Sequence, residues 1–301
     1  MKILAFVFLA GLTLSPVAWA GRFVVLPPEV ESAELRDEAL EMQESGVLQD
    51  LADALNAIVA LPRDVGLRFA ECGEANAYYD SEAHEISMCL ELMASMAETL
   101  EGQFQDDEQT TEALAGAFIA VVLHEAGHAL VDVLELPVTG REEDAVDQLS
   151  AWLLIEADDV ASVLGAAATY YTDGEAGDDE FADEHSLDKQ RYFNLVCWAY
   201  GSNPAESEEL IETWELPAAR AEQCEAEYAQ LDRSWSRLLG PHLQPDDAEE
   251  TAAETPVRTA PTPPRSAPRP PPRSPGSPIG TVTTKPDTAN TGRFKPPEDD
   301  E

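Results

Sequence analysis

His124, Glu125 and His128 are the residues of this chain whose types and spacing best suit chemistry. Residues 121–130 read Val-Val-Leu-His-Glu-Ala-Gly-His-Ala-Leu. On an α-helix, residues four apart share a face, so the two imidazoles can address one metal ion. Glu125, beside the first histidine, can reach a water held by that ion. Two imidazoles and a carboxylate suit zinc best, with iron and manganese as alternatives, and one Zn2+ per chain is expected. The chemistry is hydrolysis. The metal polarises water and a carbonyl, and Glu125 as general base takes the water's proton and returns it to the leaving amine.

The flanks place this run on a buried helix. Residues 113–123 carry no charge. Burying two histidines and a glutamate costs several kcal/mol unless they are paired or metal-bound. The competing reading is a pair of hydrogen-bonded core histidines. Gly127 weakens a helix interior by about 1 kcal/mol relative to Ala, which suits a site where a neighbouring helix or strand approaches closely.

A catalytic zinc takes three protein ligands and keeps one position open. After His128 come Ala-Leu-Val-Asp-Val-Leu-Glu, so no histidine follows in a His-x-x-Gly-x-x-His spacing. The third ligand must come from further on. Pro137 and Gly140 end the helix, and acids follow at Glu142, Glu143, Asp144 and Asp147. Thr139 and Glu142 have the spacing of a capping box, which gives Glu142 a structural task. Glu143 and Asp147 share a face with Val146 and Trp152 nearby, so that face turns inward. Two inward acids are costly without a cation between them. Glu143 is therefore the expected third metal ligand, with Glu142 as its substitute. Asp147 is the expected acceptor that orients the ring N–H of a ligand histidine. The plainer alternative is a solvated acidic helix start favoured by the macrodipole. A tetrahedral oxyanion also needs a donor besides the metal. His185 is the candidate, with Asp183 two residues before it, and Tyr170, Tyr171 and Arg191 are others. His185 as an ordinary surface histidine stays open. His84 and His242 are read as non-catalytic.

His124-Glu125-x-x-His128 followed by Glu143-x-x-x-Asp147 resembles the gluzincin pattern of thermolysin-like peptidases, with a shorter gap between the second histidine and the glutamate. The run from Leu123 through Gln148 resembles, more closely, a bacterial family of metallopeptidases with no assigned substrate. So do Asn76-Ala77-Tyr78-Tyr79, Gln190-Arg191-Tyr192-Phe193-Asn194 and Cys197-Trp198. The resemblance spans residues 22–243. It implies a zinc hydrolase fold and supplies no substrate.

The elements that must position these residues form an α+β, predominantly helical domain. The expected arrangement is zincin-like: a small antiparallel sheet packed on the active-site helix and on a following glutamate-bearing helix. Apolar spacing predicts a helical pair over 29–60, broken at Ser45-Gly46. Alternation predicts strands at 65–72, 76–79 and 85–90, the last two as a hairpin around 80–83. The final strand could be the sheet edge beside the active-site helix, where extended peptide would pair. Helices are expected at about 89–103, 108–135, 140–157, 158–172, 187–200, 205–212 and 217–239.

The ends differ from this middle. Met1-Lys2, an apolar run from Ile3 to Leu14 and Ala18-Trp19-Ala20 describe a signal peptide over 1–20, cleaved after Ala20. The protein should therefore be exported, periplasmic or extracellular, with no stable membrane insertion. Residues 21–245 are the expected metallopeptidase domain. Residues 246–301 are Pro-rich, carry seven basic residues and read as a disordered tail. Export and an even count of four cysteines predict two disulfides. Of three possible pairings, Cys72–Cys89 and Cys197–Cys224 are favoured.

Net charge is −41, and only ten basic residues lie between 21 and 245. Such a surface repels nucleic acid. The expected partner is a peptide or protein substrate, with cationic ones favoured, although the charge also serves plain solubility. Two other readings compete with a secreted zinc peptidase. One is a non-catalytic zinc-binding sensor, scaffold or interaction module. The other is an acidic cation-binding protein without zinc.

Overall fold

Four strands form one sheet, in the order β1-β2-β4-β3. A computed structural model describes residues 21–244 except 173, 175 and 178–180. The expected signal peptide and Pro-rich tail lie outside the described residues. Strand β1 (Phe23–Val25) is followed by two helices, α1 (Ala33–Glu44) and α2 (Val47–Ile58), and then by β2 (Val65–Ala70). The helical pair is a crossover, so β1 and β2 run parallel, with Phe23 opposite Val65 and Val25 opposite Leu67. Gly46 breaks the pair at φ +82°, a left-handed conformation that glycine adopts readily. Strands β3 (Ala77–Asp80) and β4 (Glu85–Cys89) form the hairpin, and β4 inserts parallel to β2 with Leu67 opposite Ile86.

The sheet is thus mixed, and the expected antiparallel sheet is corrected. Two parallel pairings cause this: β1, a three-residue strand before Pro27-Pro28, lies parallel to β2, and the hairpin places β4 rather than β3 beside β2, also parallel. Burial follows position. β2 and β4 are central and almost continuously buried, whereas β3, at the edge, alternates. Tyr79 on β3 donates its hydroxyl to Asp132 at 2.7 Å, which ties this edge to the helix that carries the histidines.

Among the described residues, the chain after β4 forms no further strand of the sheet. Helix α3 (Leu90–Leu100) leads to α4 (Asp107–Val133), whose first turn is capped by Asp106, accepting from the Gln109 N–H at 2.9 Å. Then come α5 (Glu142–Glu156), α6 (Val160–Thr169), α7 (Asp188–Ser202), the short α8 (Leu210–Thr213) and α9 (Ala218–Leu239). The helix expected at 205–212 shrinks to α8. Asn203 precedes Pro204 and leaves the helical conformation at φ −150° and ψ 75°, which ends α7, and turns fill the gap. Helix α4 is long and apolar enough to cross a bilayer. In this fold that apolar surface is covered by α3, α5, α6, β3 and β4.

Disulfides Cys72–Cys89 and Cys197–Cys224 both form. The first links the chain just after β2 to the end of β4, and the second joins α7 to α9. Two such bonds fit an oxidising, exported setting.

Glycine sets how closely α4 meets its neighbours. A Cβ on Gly127 would lie 2.9 Å from Val146 Cβ on α5, and one on Gly165 of α6 would lie 2.6 Å from the Ala113 carbonyl oxygen. Gly127→Ala gains about 1 kcal/mol of helix propensity. It loses about 1–3 kcal/mol to overpacking, because a branch-point carbon rather than a flexible tip must move. The expected net result is a melting temperature lowered by a few degrees, with a larger drop for Gly165→Ala, where backbone must yield. Equal melting temperatures for Gly127→Ala and wild type would show that α5 shifts freely.

Candidate metal centre

The close approach at Gly127 lays the first turn of α5 over the histidines of α4. His124 and His128 project from successive turns, their ring centroids 5.0 Å apart. His124 Nε2 lies 3.1 Å from Glu143 Oε2, and His128 Nε2 lies 3.3 Å from the same oxygen. His185, in the segment between α6 and α7, brings its Nε2 to 3.0 Å of that oxygen too. One carboxylate oxygen is therefore surrounded by three imidazole nitrogens. The donor atoms of His124, Glu143 and His185 lie within 4.8 Å of one another, and His128 joins them through Glu143.

The opposite nitrogen of each ring also faces a carboxylate. His124 Nδ1 is 2.8 Å from Asp147 Oδ1, His128 Nδ1 is 2.9 Å from Glu142 Oε1, and His185 Nδ1 is 3.0 Å from Asp183 Oδ1. Asp147 is itself gripped by Arg191, whose Nε and Nη2 donate at 2.8 and 2.7 Å. Arg191 stacks its guanidinium 4.0 Å from the Tyr170 ring centre.

Two expectations change here. Glu142 is not a cap. The N-cap of α5 is Arg141, with no side-chain capping bond, so Thr139 lies outside the helix start and Glu142 turns to His128 instead. Arg191 is committed to Asp147, and Tyr171 packs edge-on against Tyr192 at 5.5 Å. His84, away from the metal donors, contacts the Tyr79 hydroxyl at 2.9 Å and Arg63 at 2.7 Å. Three contacts were not read from the sequence: Glu142 to His128, Arg141 Nη1 donating to the His185 carbonyl at 2.9 Å, and Ser186 Oγ donating to Asp144 at 2.6 Å. The last two span more than forty residues, and no local pattern announces them.

The electrostatics follow from this crowding. Burial works to raise the Glu143 carboxyl, but hydrogen bonds from His124, His128 and His185 hold it well below the usual carboxylate range. Burial opposes charge on His128, yet Glu143 and Glu142 pull it up to about 9. His124 is raised against burial by Asp147 and Glu143. Glu125 behaves differently: burial raises it, and the nearby histidines offset this only in part. Among the described residues nothing hydrogen-bonds its carboxylate, and it faces a cleft of about 740 Å³. Tyr78 and Tyr79 of β3, Tyr170 and the three histidines line the same cleft.

These donors fit a metal ion. A neutral imidazole has one N–H, so it cannot donate to carboxylates at both nitrogens. Three rings placed this way require three imidazolium ions or a cation among the Nε2 atoms. Zinc–nitrogen bonds of about 2.0–2.1 Å in a tetrahedron imply donor–donor edges of about 3.3–3.4 Å. The three edges that meet at Glu143 Oε2, at 3.0, 3.1 and 3.3 Å, are close to that length, and of the three histidines His124 and His185 are the two grouped with Glu143 with all donors within 4.8 Å. The Nδ1 carboxylates match the outer partners that ligating histidines almost always have.

A family model described as "Putative metallopeptidase" (DUF4344) matches residues 28–239. The chain belongs to this metallopeptidase family. Neither the curated proteins nor the solved structures contain a match. The matched span includes every residue of the cluster just described and both disulfides. Membership suggests a peptidase role and a bound metal.

Proposed function

We propose that the protein is an exported zinc-dependent peptidase of zincin-like arrangement, hydrolysing peptide bonds with Glu125 as general base. One observation carries the reading. Three imidazole nitrogens converge on Glu143 Oε2 while Glu125, buried and without a hydrogen bond among the described residues, faces the same cleft. His124, His128 and Glu143 would hold the metal. Bound zinc supplies Lewis acidity to a water and to the scissile carbonyl.

The chain's own residues supply the rest. Glu125 accepts the proton of the attacking water and delivers it to the leaving amine. Its raised pKa favours that return step. Asp147 and Glu142 hold the His124 and His128 rings with Nδ1 outward and Nε2 inward. Arg191 keeps Asp147 in place. Edge strand β3 offers unpaired backbone beside the cleft, where an extended peptide can add as a further strand. The acids Asp132, Glu142 and Glu184 at the cleft favour cationic peptides or protein segments over acidic ones.

The test uses the full secreted chain. Metal analysis should return about one zinc per chain, and an unfolded protein substrate should be cut. A chelator should abolish cutting and added zinc should restore it. Zinc-loaded protein that leaves a broad peptide library intact would sink the peptidase reading.

A further inference from the structure

We propose that His185 is a fourth protein ligand of the metal and the exchangeable one, so that the described conformation is a closed resting state of the site. The inference rests on the zinc reading above and goes beyond it in naming which ligand must leave.

Three observations carry it. His185 has the arrangement of the other two histidines, with Nδ1 on a carboxylate and Nε2 aimed at Glu143 Oε2, and its 3.0 Å approach is the shortest of the three. Its ring lies over His124 at 6.2 Å with the planes 22° apart. The segment is also pinned in this pose. Asp183 Oδ1 accepts from the His185 backbone N–H at 2.8 Å as well as facing its ring. Arg141 donates to the His185 carbonyl and Ser186 donates to Asp144. Arg141 and Asp144 bracket Glu143 in sequence, so the residues that present Glu143 also hold His185.

What separates His185 from its partners is its support. His124, His128 and Glu143 stand on helices, with side chains 9, 15 and 16 % exposed, whereas His185 is 40 % exposed and lies outside regular structure. It can swing away by giving up a few surface hydrogen bonds, while the others cannot leave without moving a helix. A centre with four protein ligands is closed, and catalysis needs one position free. His185 leaving makes that position. An oxyanion donor would have its N–H directed into the space where substrate charge develops, but the His185 Nε2 points at the Glu143 carboxylate.

The two roles predict opposite results. The full chain is loaded with zinc, and its imidazole ligands are counted by X-ray absorption in wild type, His185→Ala and His185→Gln. Zinc Kd is measured by competition with a chromophoric chelator, and folding by circular dichroism. The expected result is three imidazoles in wild type and two in each variant. Zinc binding should weaken by at least tenfold. Two imidazoles in wild type, or an unchanged Kd in folded variants, would overturn the ligand role. Loss of about 10²–10³-fold in turnover at full zinc occupancy would return His185 to the oxyanion role. Three imidazoles in wild type with no hydrolysis by any form would uphold the ligand and sink the peptidase. Wild type that takes no zinc would sink both. The wild-type count stands even if a variant misfolds.

Discussion

Glu125→Gln should lose about 10²–10⁴-fold in peptide hydrolysis while binding zinc as wild type does. The substitution keeps the side chain's size and removes only its ability to accept a proton. Glu125 makes no hydrogen bond among the described residues and lies apart from the convergence on Glu143, so the metal donors should not notice the change. Stability supplies a second readout. Burial raises the Glu125 carboxyl, so the charged form is held at some cost in the fold, and a neutral amide relieves part of it. The melting temperature should therefore be equal or slightly higher. A variant that loses zinc and unfolds early would recast Glu125 as a structural residue. One that cuts peptide at the wild-type rate would remove it from the mechanism.

The parts of this centre that rest on local periodicity were legible, and the parts that rest on tertiary convergence were not. A four-residue spacing puts His124 and His128 on one face whatever surrounds them. The same spacing in Glu143 and Asp147, with Val146 buried between them, marks the inward face of α5. The structure brings those four residues within hydrogen-bonding reach. Gly127 announced a close neighbour, and Val146 is that neighbour. The misreading of Glu142 shows the limit of pattern. Thr139-x-x-Glu142 has capping-box spacing, but α5 begins two residues later than that box requires, and a shift of this size frees the carboxylate for His128. His185 carried no local signal beyond Asp183. Its place at the cluster depends on Arg141 and Asp144, more than forty residues upstream. The sheet has a similar cause: β1 is recognisable only through its pairing with β2, and the parallel placement of β4 beside β2 is a tertiary pairing that local alternation does not announce.

Glu143→Ala should have the larger effect on metal, and the comparison with Glu142→Ala decides between the two acids as ligand. Glu143 Oε2 is the one atom that all three imidazoles approach. Its removal deletes a donor and leaves three Nε2 atoms facing a void. The loss of zinc affinity should exceed the 10–100-fold that removal of an orienting partner produces. Among the described residues Glu142 hydrogen-bonds only His128 Nδ1, so Glu142→Ala should stay within that 10–100-fold range. Thermal unfolding offers a readout independent of activity. Zinc at a thousandfold excess over Kd stabilises the fold by about 4 kcal/mol, or roughly 8–16 °C for a domain of this size. That zinc-dependent rise should vanish in Glu143→Ala and survive, shifted to higher zinc, in Glu142→Ala. The reverse order would move the ligand to Glu142 and leave Glu143 as the hub of a hydrogen-bonded histidine cluster. Helix α5 would then have to rotate in the loaded protein, because its described pose turns Glu142 toward the outer nitrogen of His128 rather than toward the Nε2 atoms.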